Sequence, residues 1–266
     1  MNDLIEYLSG LQAGALETPD GKPFLHEYRG ELSLHFRPQT IQSRMRREAP
    51  DELVLDYTRA MMSFLLFQPA PARIAMIGLG GGSMAKYCLR YLPTVDFSAI
   101  EINPEVIALR SQFAIPDDSE RFRVICGDGA DYVRETSDRM DALIVDGFDT
   151  GGQPPQLCSQ EFYDQCHARL SDTGVLVTNL WGSDVQYGAC ISRLRNSFDN
   201  QVVAVSAEDP ENKIVFACKG PGFPPPEREF LERARELNVA HRIDFMPSAL
   251  AILRRLRNRA GKQRGK

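Results

Sequence analysis

Apolar residues recur in short runs between residues 73 and 178, and the segments between the runs are amphipathic. The runs typical of buried strands span residues 74–77, 97–100, 122–125, 142–145 and 174–178. The segments with helical spacing span residues 84–92, 104–113, 130–136 and 161–170. Strict alternation of strand and helix is typical of a mostly parallel sheet with helices on both faces. The pattern therefore predicts an α/β fold.

The two ends of the chain show different patterns. Residues 24–25, 31–36 and 40–45 predict a small antiparallel sheet, and a helix is predicted to start at Asp51 and to end before Pro69. Near the other end, a helix at 188–198 precedes two apolar runs, 202–206 and 213–218, which predict an antiparallel hairpin at one edge of the main sheet. A proline-rich linker at 221–226 is followed by two predicted helices. We therefore expect an N-terminal β region (1–50), a central domain (51–220) and a C-terminal helical extension (221–266).

Composition and charge narrow the class of protein. Among the 266 residues, 43% are hydrophobic and 25% are charged, which is typical of a globular protein. The sequence has no apolar run of the roughly 20 residues that a membrane helix needs, and its start lacks a basic signal region. We therefore expect a cytoplasmic protein without a membrane partner. The six cysteines are scattered, so we expect unpaired core residues in a reducing compartment and no metal site.

The formal charge of −5 is unevenly distributed. Residues 254–266 carry seven cations and no acid, which leaves 24 basic against 36 acidic residues in the rest of the chain. The basic tail predicts a solvated helix end, with nucleic-acid contact as the less favoured alternative. The acidic body is compatible with a cationic substrate.

A glycine-rich loop, residues 78–82 (GLGGG), lies between the first strand and the first helix of the predicted domain. Glycines there let the backbone approach a ligand, at the carboxyl end of the sheet where open α/β folds bind their ligands. Glu101 follows Gly80 by 21 positions and ends the second strand, so its carboxylate can accept hydrogen bonds from both ribose hydroxyls. Asp128 ends the third strand and is placed to accept from an adenine amino group.

These features together predict an adenosyl-sulfonium nucleoside. NAD(P) is the rival ligand, but its G-x-G-x-x-G fingerprint requires a third glycine where this chain has Ser83 or Met84.

Two carboxylates, Asp146 and Asp149, follow the fourth strand and flank a turn beside the predicted nucleoside pocket. One can anchor a cation and the other can take a proton. An alkylammonium has a pKa of about 10 and must lose a proton before its nitrogen can attack carbon. The alternative is that Asp149 only caps the turn.

Residues 73–182 resemble the catalytic domain of the polyamine aminopropyltransferases, the spermidine and spermine synthases. The resemblance is carried by GLGGGS at 78–83, IEIN at 100–103, GDG at 127–129, DGFDTGG at 146–152 and LCSQEFY at 157–163. The D-x-x-D pair with the last motif is its most specific part, because ordinary class I methyltransferases lack it. The resemblance implies a divergent member with a class I methyltransferase-like, Rossmann-like fold.

The resemblance also implies roles for individual residues. Asp149 is the implied general base. The implied nucleoside-binding residues are Gly78, Gly80, Gly81, Gly82, Glu101, Ile102, Asp128, Gly129 and Asp146. The implied amine-binding residues are Gln42, Tyr57, Asp146 and Asp149.

The implied reaction moves an aminopropyl group from decarboxylated S-adenosylmethionine to a polyamine such as putrescine, giving spermidine and methylthioadenosine. A homodimer is also implied. Gly81 stands where the family has an aspartate that helps to hold the donor's ammonium, so methyl transfer from S-adenosylmethionine remains an alternative. Leu55-Asp-Tyr57 stands where the family has Y-H-E, so a non-catalytic nucleoside-binding protein is the third possibility.

Overall fold

A seven-stranded sheet forms the centre of the computed structural model, which describes residues 2–17, 22–148 and 152–264. Its order is β6-β5-β4-β7-β8-β10-β9, and the first five strands are parallel while β10 and β9 form an antiparallel hairpin at one edge. The strands are β4 (Arg73–Ile77), β5 (Asp96–Glu101), β6 (Phe122–Cys126), β7 (Met140–Val145), β8 (Leu170–Trp181), β9 (Val202–Ser206) and β10 (Asn212–Cys218). The predicted α/β class and the edge hairpin are confirmed.

Helices cover both faces of this sheet. They are α2 (Asp56–Met61), α3 (Ser83–Tyr91), α4 (Pro104–Ala108), α5 (Gly129–Glu135), α6 (Gln160–Arg169), α7 (Tyr187–Ser197), α8 (Glu227–Ala240) and α9 (Met246–Arg264). In β4, Ile74 and Met76 enter one buried cluster and Ala75 and Ile77 enter the other, since successive side chains of a strand point to opposite faces. The sheet is therefore apolar on both sides, as parallel sheets usually are.

The N-terminal segment contains a helix that the sequence pattern did not predict. Helix α1 (Asn2–Glu17) precedes the expected three-stranded antiparallel sheet of β1 (Phe24–Tyr28), β2 (Glu31–Arg37) and β3 (Thr40–Arg46). Leu11 of α1 is buried while Leu8 is exposed, so the apolar periodicity is weak. Tyr7 packs its ring against His26 and Tyr28 of β1, which indicates that tertiary contacts stabilise this helix.

Three element boundaries differ from the prediction. Helix α2 starts at Asp56 instead of Asp51, because Arg59 binds the carbonyls of residues 53 and 54 outside the helix, and a 3-10 turn (Met62–Leu66) extends it. Helix α4 stops at Ala108, after which the chain turns through Ala114 at a positive φ. Strand β8 begins at Leu170, which pairs with β7 and so cannot continue α6.

The cysteines also depart from the expectation. Cys158 and Cys190 form a disulfide, with 5.6 Å between their Cα atoms, which joins the 3-10 turn Pro155–Cys158 to α7. Cys88, Cys166 and Cys218 are unpaired and buried as predicted, whereas unpaired Cys126 is exposed. Among the described helices, none has the length and apolar character to cross a bilayer.

Candidate functional site

A cavity of about 260 Å³ lies at the carboxyl ends of the parallel strands and extends to β3 and α2. The residues predicted from sequence that line it are Gln42, Tyr57, Gly78, Gly80, Glu101, Ile102, Asp128, Gly129 and Asp146. Gly81 and Gly82 do not line it, although they belong to the same loop. The predicted base, Asp149, lies outside the described residues. The fold thus brings most of the predicted nucleoside and amine residues to one cavity.

The glycine loop turns sharply where β4 ends. Gly78 has a φ of 94°, and a Cβ there would lie 2.3 Å from the carbonyl oxygen of Asp146. Glycine is therefore required at this position both for its backbone conformation and for the close approach of the β7 end. The loop then enters α3, whose buried first turn forms part of the cavity wall through Ser83 and Met84.

Glu101 fixes the glycine loop relative to the end of β5. One of its carboxylate oxygens accepts a hydrogen bond from the Leu79 backbone amide at 2.9 Å, and the other accepts from the Asn103 amide at 2.9 Å. The side chain is 9% exposed. A carboxylate oxygen has two lone pairs, so both oxygens retain acceptor capacity toward a ligand. The geometry is suited to a vicinal diol that donates two hydrogen bonds.

Asp128 has a structural role as well as a place in the cavity. Its Oδ1 accepts hydrogen bonds from the amides of Ala130 and Asp131, so it caps the N-terminus of α5. Its Oδ2 accepts from the side-chain amide of Gln156 at 3.3 Å. The cap holds the carboxylate in a fixed orientation, and Gln156 connects it to the loop after β7.

Gly81 packs against β3. A Cβ at this position would lie 2.6 Å from the Ser43 hydroxyl oxygen and 2.7 Å from the ring of Phe113. Ser43 lines the cavity and is itself buried. The space that a longer side chain at position 81 would need is thus occupied by a serine from the N-terminal sheet.

Asp146 lies in the loop after β7, and its carboxylate accepts two side-chain hydrogen bonds. Asn179 of β8 donates to its Oδ1 at 3.1 Å, and the phenol of Tyr57 also donates to it. Burial raises the pKa of Asp146 to about 6, and the hydrogen bonds from Asn179 and Tyr57 oppose that rise. Burial, and next the charge of Asp146, raises the pKa of Tyr57 well above its usual value, so the phenol stays protonated and donates.

This arrangement has a definite chemical capacity. At one end, fixed carboxylates accept hydrogen bonds, as a ribose and an adenine require. At the other end, Asp146 has a pKa of about 6, so it is ionised at neutral pH. It takes up a proton at a higher pH than an exposed aspartate does. Such a carboxylate can bind an ammonium group and can accept a proton from it.

Several lining residues were missed by the sequence reasoning. They include Ser43, Phe148, Pro154, Gln156 and Leu157, and Asn179 adds a contact with Asp146. One signal was present: Thr178 and Asn179 interrupt the apolar run from Val175 to Trp181 and are fully or almost fully buried. A buried amide inside a core strand requires a polar partner, and that partner is Asp146.

Comparison with known proteins gives a consistent result. Residues 55–196 match the spermine/spermidine synthase domain family. A polyamine aminopropyltransferase of Chromobacterium violaceum is 43% identical over 188 residues, covering 70% of this chain and 72% of that protein. One of Neisseria meningitidis serogroup A is 40% identical over 215 residues, covering 80% and 82%.

A solved structure has the same fold at lower sequence identity. A spermidine synthase in complex with the transition state analogue AdoDATO superimposes with a TM-score of 0.66 at 19% identity, covering 86% of this chain and 80% of that one.

Proposed function

The chain belongs to the spermine/spermidine synthase family, and from that membership we propose that it transfers an aminopropyl group from decarboxylated S-adenosylmethionine to a polyamine such as putrescine. The products are spermidine and methylthioadenosine. Asp146 carries this proposal, because an ionisable carboxylate held by Tyr57 and Asn179 lines the same cavity as the nucleoside-type acceptors Glu101 and Asp128.

The reaction requires one nucleophilic displacement. The amine nitrogen gives up its proton to a carboxylate, and its lone pair then attacks the methylene carbon bonded to the sulfonium. The carbon–sulfur bond breaks and its electron pair returns to sulfur, which leaves as the neutral thioether. Because a sulfonium is a good leaving group, the main tasks of the protein are to orient the amine and to keep it deprotonated.

We assign the two loop carboxylates on separate grounds, the family resemblance for Asp149 and the described contacts for Asp146. Asp149 stays our predicted general base, as the family resemblance implies. Asp146 is the amine-facing carboxylate, since it is half-buried, lines the cavity and is oriented by Tyr57 and Asn179. Gln42 and Tyr57 complete the amine end in this proposal, and Gly78, Gly80, Glu101, Ile102, Asp128 and Gly129 bind the nucleoside.

Paired isosteric substitutions test this assignment. Asp149→Asn and Asp146→Asn remove one charge each without changing the size of the side chain. General-base catalysis typically contributes about 10²–10⁴-fold, so we expect kcat to fall by roughly that factor in the variant that lacks the base. Methylthioadenosine affinity, measured by calorimetry, should stay within about threefold of the unmodified protein in Asp149→Asn. Asp172→Asn, at an exposed position on β8, is the matched control.

The outcomes separate the two carboxylates. A large loss of kcat in Asp149→Asn, together with a raised KM for the amine in Asp146→Asn, supports the assignment. A large loss of kcat in Asp146→Asn alone would transfer the role of base to that residue. Unchanged turnover in both variants with a polyamine acceptor would contradict aminopropyl transfer at this site.

A second candidate, methyl transfer from intact S-adenosylmethionine, is favoured by one observation. Ser43 and Phe113 fill the space beside Gly81, and the acidic residues among the described cavity lining are Glu101, Asp128 and Asp146. The loop itself therefore offers no carboxylate to a donor ammonium. Calorimetry with both donors discriminates, since tighter binding of the intact donor would favour methyl transfer.

We also propose a cytoplasmic homodimer. Light scattering after size exclusion should give twice the mass of one chain. Because the cytosol keeps most thiols reduced, trapping with an alkylating reagent in cells should find Cys158 and Cys190 as thiols if the protein resides there.

A further inference from the structure

A second concave surface lies at the sheet edge opposite β6, well apart from the catalytic cavity. This groove of about 880 Å³ runs along β9 between α7 and α9, and it shares no described lining residue with the cavity. Its polar side chains include Tyr187 and Arg195 of α7, Lys213 of β10, and Arg255 and Arg259 of α9. None of the described residues that line it is acidic. We call it the arginine groove.

The charges of the arginine groove are not neutralised within the described part of the chain. Arg195 and Arg255 are exposed, and neither forms an ion pair or a side-chain hydrogen bond with another described residue. By contrast, Arg257 of the same helix pairs with Glu227 outside the groove. Arg259 is half-buried and donates to the backbone carbonyls of Asn200 and Val202, so it is fixed in place.

The guanidinium groups also repel one another. Burial, and next the charge of Arg195, lowers the pKa of Arg259. Burial raises the pKa of the Tyr187 phenol, and the charges of Arg255 and Arg195 oppose that rise, which places the ring among these charges. Like charges held together without a counter-charge are unfavourable, and an anionic ligand would relieve the repulsion. This clustering of arginine side chains is notable because the chain outside residues 254–266 has an excess of acidic residues.

We propose that the arginine groove binds phosphate groups in a series, as in a polyphosphate or a nucleic-acid backbone. Guanidinium presents paired N–H donors whose geometry matches phosphate oxygens, and several arginines in one groove can engage successive phosphates. Tyr187 supplies an aromatic ring for stacking of a base. Helix α9 continues from the groove into the basic segment up to Arg264, which favours an extended polyanion over a single phosphate.

Binding to two probes tests the proposal. The first is a fluorescently labelled single-stranded RNA of 12 nucleotides, followed by anisotropy, and the second is inorganic tripolyphosphate, followed by calorimetry. The test variant is Arg195→Gln with Arg255→Gln, which leaves the backbone contacts of Arg259 intact. Arg254→Gln with Arg257→Gln is the matched control, because it removes two charges from α9 that do not line the groove. Thermal melting verifies that both variants fold.

We expect the test variant to lose at least about tenfold in affinity and the control to stay within about twofold. The slope of log K against log salt for RNA should become shallower by about 1.4, which corresponds to two lost phosphate contacts on a single strand. Loss confined to tripolyphosphate would identify small polyphosphates as the ligand, and loss confined to RNA would identify the nucleic-acid backbone. Equal losses in test and control variants, or no binding of either probe at 50 mM salt, would overturn the proposal.

Discussion

The two ends of the cavity at the carboxyl ends of the strands are built in different ways. At the proposed nucleoside end, Glu101 accepts hydrogen bonds from the backbone amides of Leu79 and Asn103, and Asp128 accepts from the amide of Ala130; these amides follow the carboxyl ends of three neighbouring strands. At the amine end, Asp146 contacts Tyr57 from α2 and Asn179 from β8, which are far apart in sequence. The first end is held mainly by main-chain amides that follow strand ends, while the second depends on side chains that three elements bring together.

This difference indicates how the protein divides its tasks. Strand ends of a parallel sheet provide a rigid platform for the nucleoside, which the proposed reaction uses with any acceptor. Side chains from separate elements can change without loss of the sheet, so we propose that acceptor preference is set at the amine end. The substitutions below test the contrast, in order of their expected effect on the site.

Loss of the Glu101 charge should have the largest effect. In Glu101→Gln the new NH₂ group faces either the Leu79 or the Asn103 amide, so one of these two backbone hydrogen bonds is lost and the ribose loses a charged acceptor. Hydrogen bonds to charged groups contribute about 1.5–3 kcal/mol each, so we expect methylthioadenosine to bind at least about 100-fold more weakly by calorimetry. Glu105→Gln, at a half-buried position on α4 that does not line the cavity, is the control. A loss below threefold in Glu101→Gln would contradict the rigid nucleoside end.

The pH profile should respond at the amine end. Asp146 binds or deprotonates an amine only when ionised, and its pKa is about 6, so kcat/KM should fall as pH drops through about 6. The hydrogen bonds from Tyr57 and Asn179 stabilise the charged form, so Tyr57→Phe and Asn179→Ala should each move this acid limb to higher pH. If the pKa of Asp146 rises by one unit, kcat/KM at pH 5 should fall about tenfold, as measured from a profile of kcat/KM against pH. An unshifted limb in both variants would exclude Asp146 as its origin.

The disulfide should have the smallest effect on the site. Cys158 directly follows the cavity residues Gln156 and Leu157, so releasing its link to Cys190 loosens the loop beside the amine. We expect the double variant Cys158→Ser with Cys190→Ser to raise the amine KM about threefold and to leave methylthioadenosine affinity unchanged.

The free energy of unfolding provides the control for the predicted effect of the disulfide. For a sequence separation of 32 residues, the chain-entropy relation gives a contribution of about 3.7 kcal/mol to the free energy of unfolding. Urea denaturation of the oxidised protein with and without dithiothreitol should show this difference, and the double variant should show none. Exposed Cys126→Ser should behave like the unmodified chain.

Much of the nucleoside end could be predicted from the sequence because its residues occupy fixed positions relative to strand ends. Gly78 and Glu101 directly follow apolar runs, Asp128 follows the end of β6 after one glycine, and parallel strands bring their carboxyl ends to one edge. Gly81 and Gly82 belong to the same motif but do not line the cavity, since a sequence motif does not specify which face of its loop points inward.

The amine end was harder to predict because its contacts are long-range. Nothing in the local pattern pairs Asn179 with Asp146 or places Ser43 beside Gly81, although the family resemblance did suggest Gln42, Tyr57 and Asp146. The disulfide was missed for the same reason, since scattered cysteines carry no local signal of their partners.

By itself, the sequence determined the α/β class, the parallel sheet with its edge hairpin and the nucleoside-type strand ends, because periodicity and motif spacing are local properties of the chain. Only the tertiary structure decided that α1 forms, that Tyr57 and Asn179 meet at Asp146, and that Arg195 joins Arg255 and Arg259 in one groove. Each of these results depends on side chains from distant segments, and their proximity is a property of packing that local pattern does not encode.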